Sequence, residues 1–179
     1  MVKKKNTKEY LEDSAIELLS KNTVDKITVN EICKNCELST RTFYKYYKDK
    51  YELMNTCFNR QLEKYYEQNS SDISLHSFLL YTASIVCQKQ AFFVNVFQYT
   101  GQNNIRLSLV EPLREQYIKI ISEYYHEEIT TSIYNAITFF IKGQLSYVEE
   151  ALRLRNIPDA KTSVAYFENA IPAVLKKYL

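Results

Sequence analysis

The chain has 179 residues, a formal net charge of +2, 46% hydrophobic and 25% charged residues, which suits one core of moderate size or two small ones sharing an interface. Its two glycines, Gly101 and Gly143, and three prolines, Pro112, Pro158 and Pro172, exclude two classes. Nucleotide-binding loops need clustered glycines, and tight hairpins need Gly or Asn-Gly. An all-α fold with short polar connections remains.

The first ten residues are polar and lysine-rich, unlike a signal peptide. No stretch stays apolar for the ~18 residues of a membrane span. Four cysteines, Cys33, Cys36, Cys57 and Cys87, without an export signal point to reduced thiols and a cytoplasmic location. Residues 1–68 carry 13 Lys+Arg against 11 Asp+Glu, and residues 69–179 carry 10 of each. Within the first part Lys34, Arg41, Lys45, Lys48 and Lys50 oppose only Glu37 and Asp49, and Lys3, Lys4, Lys5 and Lys8 form a second basic group. Such a patch fits a polyanion; a solvated lysine face has the same composition.

Tyr10, Leu11, Ala15, Ile16, Leu18 and Leu19 recur at helical spacing and predict a first helix over 8–21. Thr28 and Glu31 form a capping box that opens a short second helix with Ile32 and Cys33 facing inward. Glu37 and Leu38 interrupt it. Ser39 is an N-cap for a third short helix through Phe43 to Tyr46. A longer fourth helix starts near Lys48 to Lys50, with Leu53, Met54, Cys57, Phe58, Leu62, Tyr65 and Tyr66 in period. A polar break at 69–72 divides a first domain, 1–68, from a second, 69–179. There the pattern predicts helices over 74–89, 90–99, 104–126, 127–156 and 159–179, with kinks at Pro112 and Pro172.

Helices two and three joined by a tight turn and seated on helix one make a helix-turn-helix arrangement. Leu38, Phe43 and Tyr47 supply the packing edge of helix three. Thr40, Arg41, Thr42, Tyr44 and Lys45 fall on the other edge, with side chains of the types that reach base edges and phosphates. Ser39 at the N-cap, with Thr28, Tyr46, Lys48 and Lys50 flanking, completes the predicted DNA-binding set. A generic three-helix packing unit with an exposed polar helix is the plainer alternative.

Residues 27–33 (Ile-Thr-Val-Asn-Glu-Ile-Cys) and 38–53 (Leu-Ser-Thr-Arg-Thr-Phe-Tyr-Lys-Tyr-Tyr-Lys-Asp-Lys-Tyr-Glu-Leu) resemble the DNA-binding domain of the tetracycline-repressor-like (TetR) family over about residues 8–56. The resemblance implies a homodimer of about nine helices per chain, double-stranded operator DNA as partner, and a C-terminal domain that binds a small effector and holds the dimer. Two positions depart from the family pattern. Glu37 stands where glycine is usual, in a turn that calls for φ > 0, and Tyr47 replaces phenylalanine, so its hydroxyl needs a partner if buried. Residues 139–143 (Phe-Phe-Ile-Lys-Gly) and 171–175 (Ile-Pro-Ala-Val-Leu) more loosely resemble regulators related to activators of dihydroxyacetone-kinase operons.

Other signals have bland readings. Cys33 and Cys36 lie one turn apart where the family places alanine; zinc needs two further ligands. Glu123 and His126 are half of a di-iron signature whose second copy is missing. With two histidines, His76 and His126, there is little material for catalysis. No enzyme activity, metal or cofactor is expected. Aromatic residues are dense in the second domain, at Tyr81, Phe92, Phe93, Phe97, Tyr99, Tyr134, Phe139, Phe140 and Tyr147; which of them line an effector cavity is left open. In the family the last two helices pair with their twins. Ile129, Ile133, Ile137, Phe140 and Ile141, with Phe167, Ile171 and Leu175, form the apolar stripes assigned to that interface.

The expected function is a ligand-responsive repressor acting as a homodimer on a palindromic operator. An activator or architectural DNA-binding protein without an effector, and a helical protein-interaction module, are the alternatives.

Overall fold

The computed structural model describes residues 6–69, 72–101 and 105–179. Lys3, Lys4 and Lys5 of the expected basic group, Ser70 and Ser71 of the polar break, and Asn104 at an expected helix start lie outside the described residues. Those described form ten α-helices and no strand. The helices are α1 (Thr7–Leu19), α2 (Val29–Asn35), α3 (Thr40–Phe43), α4 (Lys50–Gln68), α5 (Leu75–Gln88), α6 (Gln90–Phe97), α7 (Ile105–Ser108), α8 (Val110–Lys119), α9 (Thr131–Arg153) and α10 (Ala160–Ala170). Short 3₁₀ turns lie at Val24–Lys26 and Ala173–Tyr178, and a π-turn at Ile120–Tyr124 extends α8.

The local signals in the first domain act as the sequence requires. The Thr28 hydroxyl accepts from the Glu31 amide at 3.2 Å, and Glu31 accepts from the Thr28 amide at 2.8 Å. The box satisfies donors that the first turn of α2 would otherwise leave open. At the other end, Glu37 has φ 56°. The Leu38 amide donates to the Cys33 carbonyl at 2.9 Å and the Glu37 amide to that of Lys34 at 3.2 Å. This paired pattern is a Schellman motif with a left-handed residue just past the helix end. It makes the tight turn between α2 and α3, and Glu37 occupies it without glycine's freedom.

The second domain departs from the long helices expected of it. The proline ring clashes with the carbonyl four residues back. For Pro112 that residue is Ser108, where α7 ends. Pro112 itself then sits in the first turn of α8, where no amide is needed. The expected helix over 127–156 begins only at Thr131, because His126 turns left-handed at φ 54° after the π-turn. The last helix stops at Ala170 ahead of Pro172, which leads into the 3₁₀ turn rather than bending a continuous helix. The 90–97 segment, β-branched and aromatic in composition, is helical.

Helix α5 packs on α10, and α8 and α6 pack on α9. Residues on either side of the expected boundary share one continuous core, because α1 packs on α6 and α4 on α5, α7 and α8. Polar contacts tie this seam. Asn95 Nδ2 donates to the Leu19 carbonyl at 2.7 Å, Ser108 Oγ to Asn55 Oδ1 at 2.7 Å, and Tyr81 OH to the Gln61 carbonyl at 2.7 Å. The Tyr51 and Tyr99 rings stack, with their hydroxyls 3.0 Å apart. This hydrogen bond, with burial, pushes the Tyr51 hydroxyl up to about 12. Tyr99 folds back over Gly101, where a Cβ would stand 2.1 Å from the Tyr99 oxygen.

One assignment is corrected by this packing. Ile133, Ile137, Phe140, Ile141, Phe167, Ile171 and Leu175 are buried within the single chain. They are core, not a surface awaiting a partner. An apolar stripe on a helix marks its buried face without saying which neighbour covers it, and here α6, α8 and the closing 3₁₀ turn cover that of α9.

The turn yields a stability prediction. A non-glycine residue in the left-handed region costs roughly 1 kcal/mol. Glu37 is exposed and its side chain makes no hydrogen bond among the described residues. Glu37→Gly should therefore raise unfolding stability by about 1 kcal/mol in urea titrations, while Glu37→Val should lower it.

Candidate nucleic-acid interface

The exposed edge of the helix-turn-helix is built outward from α3. Phe43 and Tyr47 are buried and Leu38 is half-buried, so these three fix how α3 sits on α1 and α2. That leaves Thr40, Arg41, Tyr44, Lys45, Tyr46 and Lys48 exposed, with Thr42 intermediate. Tyr44 is 60% exposed although aromatic. Its ring packs edge-on against Phe43 at 5.3 Å, which braces a side chain that otherwise points into solvent. Among the described residues no hydrogen bond or ion pair engages the side-chain cations of Arg41, Lys45 or Lys48. Lys8, from the start of α1, stands over the Tyr46 ring at 5.9 Å and brings part of the second basic group to the same edge.

Two expected members do other work. Ser39 Oγ accepts from the Thr42 amide at 3.1 Å and lies 2.9 Å from Thr42 Oγ1, so the hydroxyl is engaged in the cap. Lys50, expected at a phosphate, turns inward. Its ammonium donates to the Val24 carbonyl at 2.8 Å and the Ile27 carbonyl at 2.7 Å. Those carbonyls belong to the turn before α2, so Lys50 pins the start of α4 to the entry of the helix-turn-helix. Thr28 is exposed on that same entry.

Sequence reading missed the group beneath this edge. Glu12 of α1 is only 4% exposed. Tyr47 OH donates to its Oε1 at 3.1 Å and Arg60 Nη1, from α4, to its Oε2 at 2.5 Å; Arg60 Nη2 reaches Glu9 at 2.8 Å. The tyrosine hydroxyl thus has the partner that its burial demands. Burial, and then the Glu12 charge and hydrogen bond, hold the Tyr47 hydroxyl far above its ordinary range, so it stays a donor. The only signal for the group in the sequence is an acidic residue amid the apolar positions of α1. Cys33 is buried and the Cys36 thiol donates to the Ile32 carbonyl, so both act as small packing residues. Among the described residues no group of three or more His, Cys, Asp or Glu has the arrangement of a metal site.

A second feature lies between α4 and the helices that follow it. A cavity is lined by Phe58 and Leu62 of α4 together with Phe78, Phe93, Phe97, Leu113, Tyr117, Gln144, Tyr147 and Phe167 from α5, α6, α8, α9 and α10. Cavity and mouth together enclose about 860 Å³ of atom-free space, of which about 80 Å³ admits the centre of a water-sized molecule. Its lining is mostly apolar.

Residues 11–57 match the model of "Bacterial regulatory proteins, tetR family". The DNA-binding domain is that of the tetR family. The chain is thus a DNA-binding transcriptional regulator rather than an enzyme. Solved structures share the whole fold at low identity. The dihydroxyacetone kinase operon activator DhaS has a TM-score of 0.71 at 16% identity, with 96% of this chain and 97% of that one covered. A tetR-family transcriptional regulator from Streptomyces coelicolor has 0.63 at 19%, with 96% and 82% covered. NalD, the secondary repressor of the MexAB-OprM multidrug efflux pump in Pseudomonas aeruginosa, has 0.58 at 15%, with 92% and 93% covered. A comparison with curated proteins gives no match. The tetR-family match spans Leu53 and Cys57 of α4, so the connecting helix begins within the DNA-binding domain.

The two lysines should separate cleanly on mutation. Lys45→Ala should weaken binding to all duplexes alike and flatten the dependence of log affinity on log salt by about one unit. Lys50→Met should leave that slope unchanged and lower thermal stability instead, because two turn carbonyls lose their donor. Arg41→Ala should cost roughly 1–3 kcal/mol on cognate DNA and relax preference at one base pair of each half-site, read by competition with scrambled duplexes.

Proposed function

We propose that the protein is a ligand-responsive repressor that binds a palindromic operator as a homodimer. The observation that carries the reading is the double membership of α4. Its N-terminal end and Arg60 are bonded to the helix-turn-helix, and its Phe58 and Leu62 form a wall of the cavity. A ligand that enters the cavity pushes on α4, and α4 carries the recognition edge with it. Among the structural relatives one is called an activator and another a repressor. Repression is the reading adopted because the cavity is narrow when empty. Filling it acts against the α4 position that the ligand-free chain holds, and coupling of this kind is typically worth about 1–3 kcal/mol.

The dimer reading moves to the outer face of α9 and α10. Phe139 is 77% exposed and Tyr166 51%. Gly143, one turn beyond Phe139, is exposed, and a Cβ there would meet nothing within 4 Å. A glycine within a helix costs roughly 0.5–1 kcal/mol relative to alanine, and nothing in this chain's own packing asks for it. A second copy laid close against α9 does. Two such subunits related by a two-fold axis present their recognition edges about 34–36 Å apart on one side of a duplex.

Duplexes from immediately upstream of the protein's own gene, titrated in gel-shift and reporter assays, test the whole reading. Specific binding together with raised reporter output on deletion of the gene is expected; binding with lowered output makes the protein an activator. Phe139→Glu should give a folded monomer by light scattering and circular dichroism, with operator affinity reduced at least 100-fold. Ile137→Glu should instead unfold, since it places an unpaired charge in the core. A Phe139→Glu protein that remains dimeric overturns the assigned face.

A further inference from the structure

The cavity has a chemical selectivity of its own. Its lining includes residues from six helices, yet among the described residues that line it there is no Asp, Glu, Lys, Arg or His. A charged ligand group held there would lose its hydration without gaining a counter-charge, which costs far more than a hydrogen bond returns. The few polar groups are Thr82, Cys87, Gln144, Ser163 and the hydroxyls of Tyr117 and Tyr147. Most are already engaged. Thr82 Oγ1 donates to the Phe78 carbonyl, Cys87 Sγ to that of Pro158, and Ser163 Oγ reaches the Pro158 carbonyl at 3.5 Å.

Tyr147 is 36% exposed and its hydroxyl makes no hydrogen bond among the described residues, and the remaining group is Gln144. Tyr117 OH donates to its Oε1 at 2.8 Å, and Tyr117 is buried enough for its hydroxyl to stay protonated. With the carbonyl oxygen taken, the Gln144 amide nitrogen keeps both N–H groups, and no hydrogen bond holds them among the described residues. The lining therefore offers donors at Gln144, and at the more exposed Tyr147 hydroxyl, on an otherwise apolar wall. Its tightness, with about 80 Å³ open to the centre of a water-sized molecule out of about 860 Å³ of atom-free space, favours a thin flexible chain over a bulky ring system.

We infer that the cavity takes an uncharged, chain-like hydrophobic molecule bearing one hydrogen-bond acceptor, such as a ketone, ester or alcohol oxygen, placed against the Gln144 amide. This rests on the reading of the cavity as an effector site. Ionised carboxylates and quaternary amines of equal length are excluded by the missing counter-charge.

Four decyl probes test it on the full-length protein by calorimetry: 2-decanone, 1-decanol, decanoate and decyltrimethylammonium. The two uncharged probes should bind, with affinities unchanged between pH 6 and pH 8. Decanoate should enter only in its acid form, so its apparent affinity should fall about 100-fold over the same interval. The ammonium probe should not bind. Gln144→Met should weaken 2-decanone about tenfold, consistent with loss of one hydrogen bond. Ala151→Phe, which fills the lining from α9, should abolish binding of both uncharged probes while circular dichroism shows the fold intact. Decanoate that binds as well at pH 8 as at pH 6, an ammonium probe that binds, an Ala151→Phe protein that binds normally, or no binding by any probe overturns the inference. Gel shifts on the same samples separate it from the effector role. If 2-decanone binds but leaves operator affinity unchanged, the regulatory reading fails and the ligand class stands. If decanoate binds at pH 8 and releases the DNA, the class fails and the regulatory reading stands.

Discussion

The buried carboxylate of Glu12 is the constraint on which the rest of the architecture hangs. A charge so enclosed is tolerable only while its donors stay in place, and losing one leaves a penalty of several kcal/mol. Its donors come from two other elements, Tyr47 at the end of the recognition unit and Arg60 in the middle of α4. Together they clamp α1, the helix-turn-helix and α4 into one body. Lys50 adds a second clamp at the near end of α4. The recognition edge therefore has little freedom to move by itself, and any displacement passes through α4.

That rigidity contrasts with the other end of α4. There Phe58 and Leu62 border a cavity, so the packing is incomplete where the first domain meets the second. The seam beyond is polar as well as apolar, with Tyr51 against Tyr99, Asn95 against Leu19 and Ser108 against Asn55. Hydrogen bonds at such a joint have directional optima, so two arrangements of the seam differ in which bonds are made, not in how much surface is buried. Interfaces of this sort switch between states rather than deform continuously.

Local chemistry explains what was legible in the sequence. The Thr28–Glu31 box, the Ser39 cap and the departure at Glu37 are decided by residues within a few positions, and each appears where the sequence places it. The alternation of buried and exposed positions on α3 follows for the same reason. What was hidden depends on distant partners. Nothing near Lys50 announces that carbonyls more than twenty positions earlier will claim its ammonium. Nothing near Glu12 announces Tyr47 and Arg60. The stripe on α9 was read correctly as apolar and wrongly as intermolecular, because periodicity gives the face of a helix but not its neighbour. The break at Ser108 was blurred by a pattern that runs through the helix end, with only Pro112 as a local sign, while the boundary at His126 was placed and the helix after it begins later, at Thr131.

The inward turn of Lys50 and the pairing of Arg60 with Glu9 and Glu12 also thin the electrostatic footprint of the domain. Among the described residues the cations left facing outward on the recognition edge are few, chiefly Arg41, Lys45, Lys48 and Lys8. Attraction to arbitrary DNA scales with the number of phosphates neutralised. Each cation drawn into an internal bond leaves one fewer phosphate neutralised by this edge, and so gives a gentler fall of its DNA affinity with salt.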